Sequence, residues 1–248
     1  MNEQVKKDNK KALPKYLLIL LVSMIAGGVI GFVSATVGGS GLRESVLEGF
    51  RAGMTAVVPW GLPVSGVVLL VPGFLILQKA KKALAAWDGE DEDVSEAIED
   101  QCNRALLLSN LALLLGFFFF SACLVYVMGQ LRQVVFFALD LFLCVSLQRR
   151  LVDLIRTMNP EKQGSVYDTD FHKKWLDSCD ELEQRQVGQA AWVAFRRTSI
   201  VCAVLWAVLL VLHIMFDTGL LPMAVALGIW GVLLVSYHLE AAKLGRRK

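Results

Sequence analysis

Residues 105–128 have the sequence ALLLSNLALLLGFFFFSACLVYVM, in which no side chain is charged. A helix needs about 20 predominantly apolar residues to cross the hydrocarbon core of a bilayer. Lipid offers the backbone no hydrogen-bond partners, and a helix satisfies its own N–H and C=O groups internally. This stretch therefore predicts a transmembrane helix.

Five other segments share this apolar character, and we predict that they are also spans: residues 16–37, 54–77, 134–148, 199–216 and 219–239. The short fourth span contains Asp140, and we expect its helix to continue past Arg150. Hydrophobic residues make up 55% of the chain, which is more than a soluble domain usually accommodates. The sequence thus predicts an all-α fold, a polytopic transmembrane bundle of six spans in the lipid bilayer.

The first span has a second interpretation. Lysines precede residues 16–37, and Val33-Ser34-Ala35 is similar to a cleavage site, as in a signal peptide. The apolar part of a signal peptide usually has about 7–15 residues, and this run is longer. We therefore expect a retained span.

Lys and Arg are unevenly distributed along the chain. Of the 25 such residues, 22 fall in four segments, namely residues 1–15, 78–104, 149–198 and 240–248. Basic residues accumulate on the cytoplasmic side of membrane proteins. We predict a basic cytoplasmic N-terminus (1–15) and a single membrane domain (16–248), with both chain ends in the cytoplasm.

The predicted cytoplasmic segment 78–104 has the pattern of a helical hairpin. A helix-compatible run continues to Trp87, and the acidic residues 88–93 then interrupt it. Asp93 and Glu96 resemble a capping box, in which an N-cap side chain and a residue three positions later satisfy each other's backbone N–H groups. We expect the returning helix to begin there.

The second cytoplasmic segment, residues 149–198, repeats this plan. Pro160 ends the first helix, because the residue before a proline avoids the helical region. Residues 164–168 are predicted to form a loop, and we expect one long helix from Phe171 back to the membrane.

Asp140 and His213 are ionisable residues within the predicted spans, and each lies near the outer end of its helix. A charge within the membrane is costly and is usually paired or functional. The two side chains could form a structural pair, or Asp140 could be protonated and neutral. Alternatively, they could form a proton or ion site.

Two patterns in the first two spans allow structural and functional interpretations. Pro59 and Pro63 would kink or break a helix, which fits either a transporter binding site or a turn at the membrane interface. Gly27 and Gly31 belong to a stripe of small residues that lets helices approach closely, either within the chain or in a homo-oligomer.

The five cysteines contain no C-x-x-C pair, so we expect free thiols, with Cys102 and Cys179 accessible from the cytoplasm. The chain has no catalytic motif and no metal-ligand spacing. The basic residues flank apolar spans and need no nucleic acid to explain them. We expect a protein that is not an enzyme and holds no metal or other cofactor.

Residues 164–169 (GSVYDT) and 173–181 (KKWLDSCDE) resemble a sequence block of the domain-of-unknown-function 3169 family, membrane proteins found mainly in Firmicutes. The basic N-terminus and the arrangement of spans are also similar. The resemblance implies a multi-pass protein of a bacterial plasma membrane. It implies no activity, substrate or catalytic residue.

The hypothesis we favour is a non-catalytic membrane protein that binds a protein partner through its cytoplasmic helical hairpins. The candidate interaction segment contains Tyr167, Asp168, Phe171 and Trp175. The two rings could instead pack against the neighbouring helix around Ile155. The alternative function is a small transporter or channel subunit that uses Asp140 and His213.

Overall fold

The computed structural model describes residues 13–14, 17–18, 21–22, 24–25, 27–29, 31–32, 41–127 and 131–246. In 41–127 and 131–246 the chain forms helices and no strands: α1 (Leu42–Ala86), α2 (Glu92–Tyr126), α3 (Leu131–Met158), α4 (Phe171–Asp177), α5 (Glu181–Phe216) and α6 (Leu221–Arg246). All of these except α4 are long and apolar enough to cross a membrane. These features confirm an all-α membrane protein. The predicted first span lies partly outside the described residues, and its described residues are helical.

The chain divides into two compact units, and the first comprises residues 49–187. Its core lies between α1, α2 and α3 and is filled by buried apolar side chains, among them Leu77, Ile98, Cys102, Ala105, Leu147 and Leu151. Glycines on α1 allow close packing. The ring of Phe119 would lie 2.1 Å from a Cβ at Gly61, and Leu147 would lie 2.8 Å from one at Gly73.

The second unit comprises residues 1–48 and 188–248 and contains most of α5 and α6. The guanidinium of Arg43 donates a hydrogen bond of 2.9 Å to the carbonyl of Phe216, the last residue of α5. Phe195 and Tyr237 stack with 4.7 Å between ring centroids. Of the residues of α5, all of which are described, only Cys202 is buried. Such extensive exposed apolar surface is suited to a lipid environment.

Helix α1 differs from the prediction in two ways. It begins at Leu42, so the residues from 42 to 53 are helical and not a loop. It also continues without a break through Pro59 and Pro63, so the predicted break or turn is wrong. Pro63 has no N–H to bond the carbonyl of Pro59. The side-chain amide of Gln133 donates to that carbonyl instead, at 3.2 Å.

Helix α2 begins earlier than the predicted capping box. Its N-cap is Asp91, whose carboxylate accepts hydrogen bonds from the N–H groups of Asp93 (3.0 Å) and Val94 (3.3 Å). Asp91 has extended backbone angles, as an N-cap residue requires, whereas Asp93 is already helical. The capping box predicted at Asp93 and Glu96 is therefore wrong, although the predicted hairpin is present.

The second hairpin confirms some predictions and corrects another. Helix α3 continues past Arg150 and ends at Met158, just before Asn159 and Pro160, as predicted. The helix predicted from Phe171 is interrupted, because α4 ends at Asp177 and α5 begins at Glu181. A true capping box starts α5. Glu183 N–H donates to the Asp180 carboxylate (2.8 Å), and Asp180 N–H donates to the Glu183 carboxylate (3.0 Å).

Candidate functional site

The loop between α3 and α4 is held by its own contacts. The Asp168 carboxylate pairs with the ammonium of Lys174 and accepts the backbone N–H of Asp170 at 3.0 Å. The same two donors lower the pKa of the Asp168 carboxyl. Gly164 has a φ of +114°, and the Phe171 ring would lie 2.9 Å from a Cβ at this position. Gly164 thus allows both the turn and the close approach of Phe171.

Part of the candidate interaction segment lines a cavity of about 630 Å³, which we call the amide cavity. Its walls come from α2, α3, the loop and α4, and include Asn103, Asn110, Gln148, Ile155, Asp168, Phe171, His172 and Trp175. The Gln148 amide donates to the Asn110 carbonyl oxygen at 3.1 Å, which links α2 to α3. The cavity therefore offers amide donors and acceptors beside aromatic and aliphatic surface.

Phe171 and Trp175 lie at the amide cavity, and their packing against the helix around Ile155 remains a prediction. Phe171 and Trp175 are half-buried, with 5.5 Å between their ring centroids, and line the amide cavity together with Ile155. Leu151 lies in the core. The two rings therefore form part of the cavity wall.

Tyr167 lies at a different cavity, which we call the arginine cavity. This cavity of about 600 Å³ is lined by Phe142, Val145, Ser146, Arg149, Arg150, Asp153 and Tyr167. The Tyr167 side chain is 66% exposed, and the guanidinium carbon of Arg149 lies 5.6 Å from its ring centroid. Asp168, Phe171 and Trp175 therefore line the amide cavity, whereas Tyr167 lines the arginine cavity.

Asp140 is half-buried on α3 and faces α1. A Cβ at Gly66 would lie 2.3 Å from its Oδ1, so the carboxylate fills the space that the glycine leaves. Asp140 has no hydrogen bond or ion pair with any described residue. His213 on α5 is also half-buried, and its Nδ1 lacks a partner among those residues. The two belong to different compact units, and their pairing remains a prediction.

A buried ion pair between the loop and α5 was missed by sequence reasoning. Lys162 is 5% exposed, and its ammonium pairs with the Glu183 carboxylate. Burial favours the neutral amine, but the hydrogen bond and charge of Glu183 outweigh this effect and raise the pKa of Lys162. The spacing of Asp180 and Glu183 is a capping-box signal that could have located the start of α5. Nothing in the sequence marks Lys162 as buried.

The structure corrects one prediction about the cysteines. All five are free thiols, as expected. Cys102 is completely buried in the core, so its predicted accessibility is wrong. Cys179 is half-buried and donates from Sγ to the carbonyl of Trp175 at 3.3 Å. Burial raises the pKa of the Cys179 thiol, which disfavours the reactive thiolate.

The candidate oligomerisation face lies in the partly described N-terminal segment. A Cβ at Gly27 or at Gly31 would meet no heavy atom within 4 Å. Self-association through these glycines remains a prediction. In the part of the chain that the structure describes, no group of three or more His, Cys, Asp or Glu side chains is arranged to hold a metal ion.

These features define a helical membrane protein with two cavities beside one structured interhelical loop. Residues 10–241 match the model of the family described as Protein of unknown function (DUF3169), and the chain belongs to this family. The match confirms the resemblance inferred from residues 164–181. No curated protein and no solved structure matches the chain.

Proposed function

We propose that this chain is a non-catalytic membrane protein of six spans, with both ends in the cytoplasm, that binds a protein partner at the amide cavity. The bias of Lys and Arg supports the orientation, because 22 of 25 lie in the segments assigned to the cytoplasm. In this orientation the loop and α4 lie in the cytoplasm. The plasma membrane of a bacterium is the proposed location.

The observation that carries this proposal is the composition of the amide cavity. Asn103, Asn110 and Gln148 line one part, and each carboxamide can donate to and accept from a peptide backbone. Phe171 and Trp175 provide flat apolar surface in the same cavity. Aromatic residues that become buried on binding account for much of the affinity at protein interfaces. An extended segment of a partner protein fits this combination.

Site-specific crosslinking in native membranes tests the proposal. His172 is exposed at the rim of the amide cavity and can be replaced by a photoreactive phenylalanine analogue. Leu182 is 64% exposed, does not line the cavity, and provides the matched control. We expect a discrete crosslinked protein from position 172 that is absent from position 182. Identical products from both positions would contradict the proposal.

Substitutions show which of the two cavities is needed for partner binding. The double variant Asn110→Ala with Gln148→Ala removes two of the three carboxamides from the wall, and we expect it to abolish crosslinking from position 172. Tyr167→Ala should leave that crosslink unchanged, since Tyr167 lines the arginine cavity. Thermal unfolding of each variant in detergent checks that the fold is retained.

A second candidate function is a small transporter or channel subunit that uses Asp140 and His213. It is supported by the carboxylate of Asp140, which lies within an apolar helix and has no hydrogen bond to any described residue. Under this alternative, Asp140→Asn abolishes an ion flux into proteoliposomes and leaves the fold intact. If the two residues form only a structural pair, Asp140→Leu and His213→Leu show non-additive losses of stability and no change in flux.

A further inference from the structure

The arginine cavity lies along α3 where an uncharged stretch of that helix meets two adjacent arginines. Residues 141–148 contain no charge, and Arg149 and Arg150 follow directly. Phe142, Val145 and Arg149 lie on one face of the helix because they are three, four and seven positions apart. Phe142 and Val145 are 69% and 38% exposed. The cavity wall therefore changes from apolar to cationic along the helix axis.

The positive charge of this cavity is only partly neutralised. The guanidinium of Arg149 lies 3.6 Å from the Asp153 carboxylate and faces the ring of Tyr167. Both neighbours attract the Arg149 guanidinium and favour this orientation of the side chain. Arg150 is exposed and has no ion pair or hydrogen bond with any described residue. One oriented guanidinium and one uncompensated guanidinium thus border the same space.

We propose that the arginine cavity binds an anionic phospholipid, with its phosphate between Arg149 and Arg150 and an acyl chain along Phe142 and Val145. Guanidinium groups form paired hydrogen bonds with phosphate oxygens. The Ser146 hydroxyl, which also lines the cavity, is a further donor. A free phosphate ion would leave the apolar part of the wall unused, whereas a phospholipid uses both parts. This binding is independent of the protein partner proposed for the amide cavity.

Lipid titration of the full-length protein tests this assignment. The protein in detergent is titrated with phosphatidylglycerol or with the neutral lipid phosphatidylcholine, and bound lipid is measured by native mass spectrometry. We expect saturable binding of phosphatidylglycerol and much weaker binding of phosphatidylcholine. Each guanidinium should donate to the lipid phosphate, and loss of one such direct contact weakens binding about fivefold, so Arg149→Gln with Arg150→Gln should weaken binding about 30-fold.

Two further variants test whether the loss of lipid binding is specific to the arginine cavity. Arg150→Gln alone removes a side chain that pairs with no described residue, so the fold should be retained while loss of its contact with the phosphate weakens binding about fivefold. Arg196 and Arg197 form a second adjacent pair that precedes an apolar segment and lies outside the arginine cavity. Arg196→Gln with Arg197→Gln provides the matched control, and we expect phosphatidylglycerol binding to remain within about twofold of the unmodified protein, because neither arginine lines the proposed site.

Three results would overturn the proposal. An equal loss of phosphatidylglycerol binding in the two double variants would mean that basic residues attract anionic lipid in general and not at this cavity. Competition by glycerol phosphate at the same concentration as the lipid would mean a site for the phosphate group alone. Unchanged binding in Arg150→Gln, in a protein with an unaltered unfolding temperature, would mean that the lipid binds elsewhere.

Discussion

Lys162 and Glu183 connect the loop to the first turn of α5, and their exposures differ. Lys162 is 5% exposed and Glu183 is 36% exposed. The carboxylate of Glu183 also accepts a hydrogen bond from the backbone N–H of Asp180. Lys162, in contrast, forms an ion pair with Glu183 and with no other described carboxylate. Removal of the Glu183 carboxylate therefore leaves the buried ammonium of Lys162 without a counterion. Removal of the Lys162 ammonium leaves a carboxylate that is still accessible to water.

We accordingly predict unequal effects of the two substitutions. Glu183→Gln should lower the free energy of unfolding by about 3 kcal/mol, because it leaves Lys162 buried and unpaired. Lys162→Met should cost only about 1 kcal/mol. Glutamine can still accept the Asp180 N–H, so the cap is preserved in the comparison. Denaturant titration of each variant in detergent measures the difference, and an equal or reversed order would contradict the proposed asymmetry.

The ion pair also predicts a pH dependence. The folded-state pKa of Lys162 is raised, so its contribution to stability is complete at neutral pH and is lost as pH rises through that pKa. The unfolding temperature should therefore fall more steeply above about pH 10 in the unmodified protein than in Lys162→Met. Parallel curves for the two proteins would show that the pair contributes nothing.

The contact between Gly66 and Asp140 predicts a steric effect. A methyl group at position 66 would lie 2.3 Å from the Asp140 carboxylate, so Gly66→Ala should destabilise the protein by about 1–3 kcal/mol. Asp140→Ala in the same chain should recover part of this loss. Gly188→Ala is the control, since a Cβ there meets nothing within 4 Å and alanine favours the helix. Thermal unfolding measures all three variants, and equal effects at positions 66 and 188 would exclude the close packing.

At the scale of helices, the sequence predicts the apolar central part of each long helix well. It predicts poorly the residues at which each helix begins and ends. The cores of α1, α2, α3, α5 and α6 follow from hydropathy alone. The start of α1 at Leu42 does not, because the polar residues after Gly41 are equally compatible with a loop. Gln133 lies 74 positions after Pro59 and donates to the Pro59 carbonyl, which Pro63 leaves without a helical N–H partner. Such a compensating donor is visible only once α1 and α3 are packed together.

This compensation predicts an energetic coupling between α1 and α3. Gln133→Leu removes the donor to the Pro59 carbonyl and should destabilise the protein by about 1–3 kcal/mol. Pro63→Ala restores the helical N–H that bonds the same carbonyl. In the Pro63→Ala background, Gln133→Leu should therefore cost less, with a coupling of at least about 0.5 kcal/mol. Unfolding measurements on the four proteins give the coupling, and additive effects would mean that the amide does not replace the missing donor.

At the scale of the whole molecule, the candidate site was only partly predictable. The sequence block around Asp168, Phe171 and Trp175 directed attention to one wall of the amide cavity. The opposite wall, with Asn110 and Gln148, comes from polar residues in otherwise apolar helices. Their spacing of 38 positions carries no periodic signal. Only the alignment of α2 with α3 brings the two carboxamides into contact.

The orientation of the chain is the prediction on which the assignment of both cavities to the cytoplasmic side of the membrane depends. Glu161 lies in the loop between α3 and α4, and Thr218 lies between α5 and α6; both are exposed. Native thiols give little background because four of the five are buried, so labelling needs only Cys179→Ala as the parent protein. In intact cells, a membrane-impermeant maleimide should label Thr218→Cys and not Glu161→Cys. After permeabilisation it should label both, because the bias of basic residues predicts that the Glu161 loop lies inside. Labelling of Glu161→Cys in intact cells, with the parent protein unlabelled, would reverse the orientation and place the partner and lipid sites on the outer face.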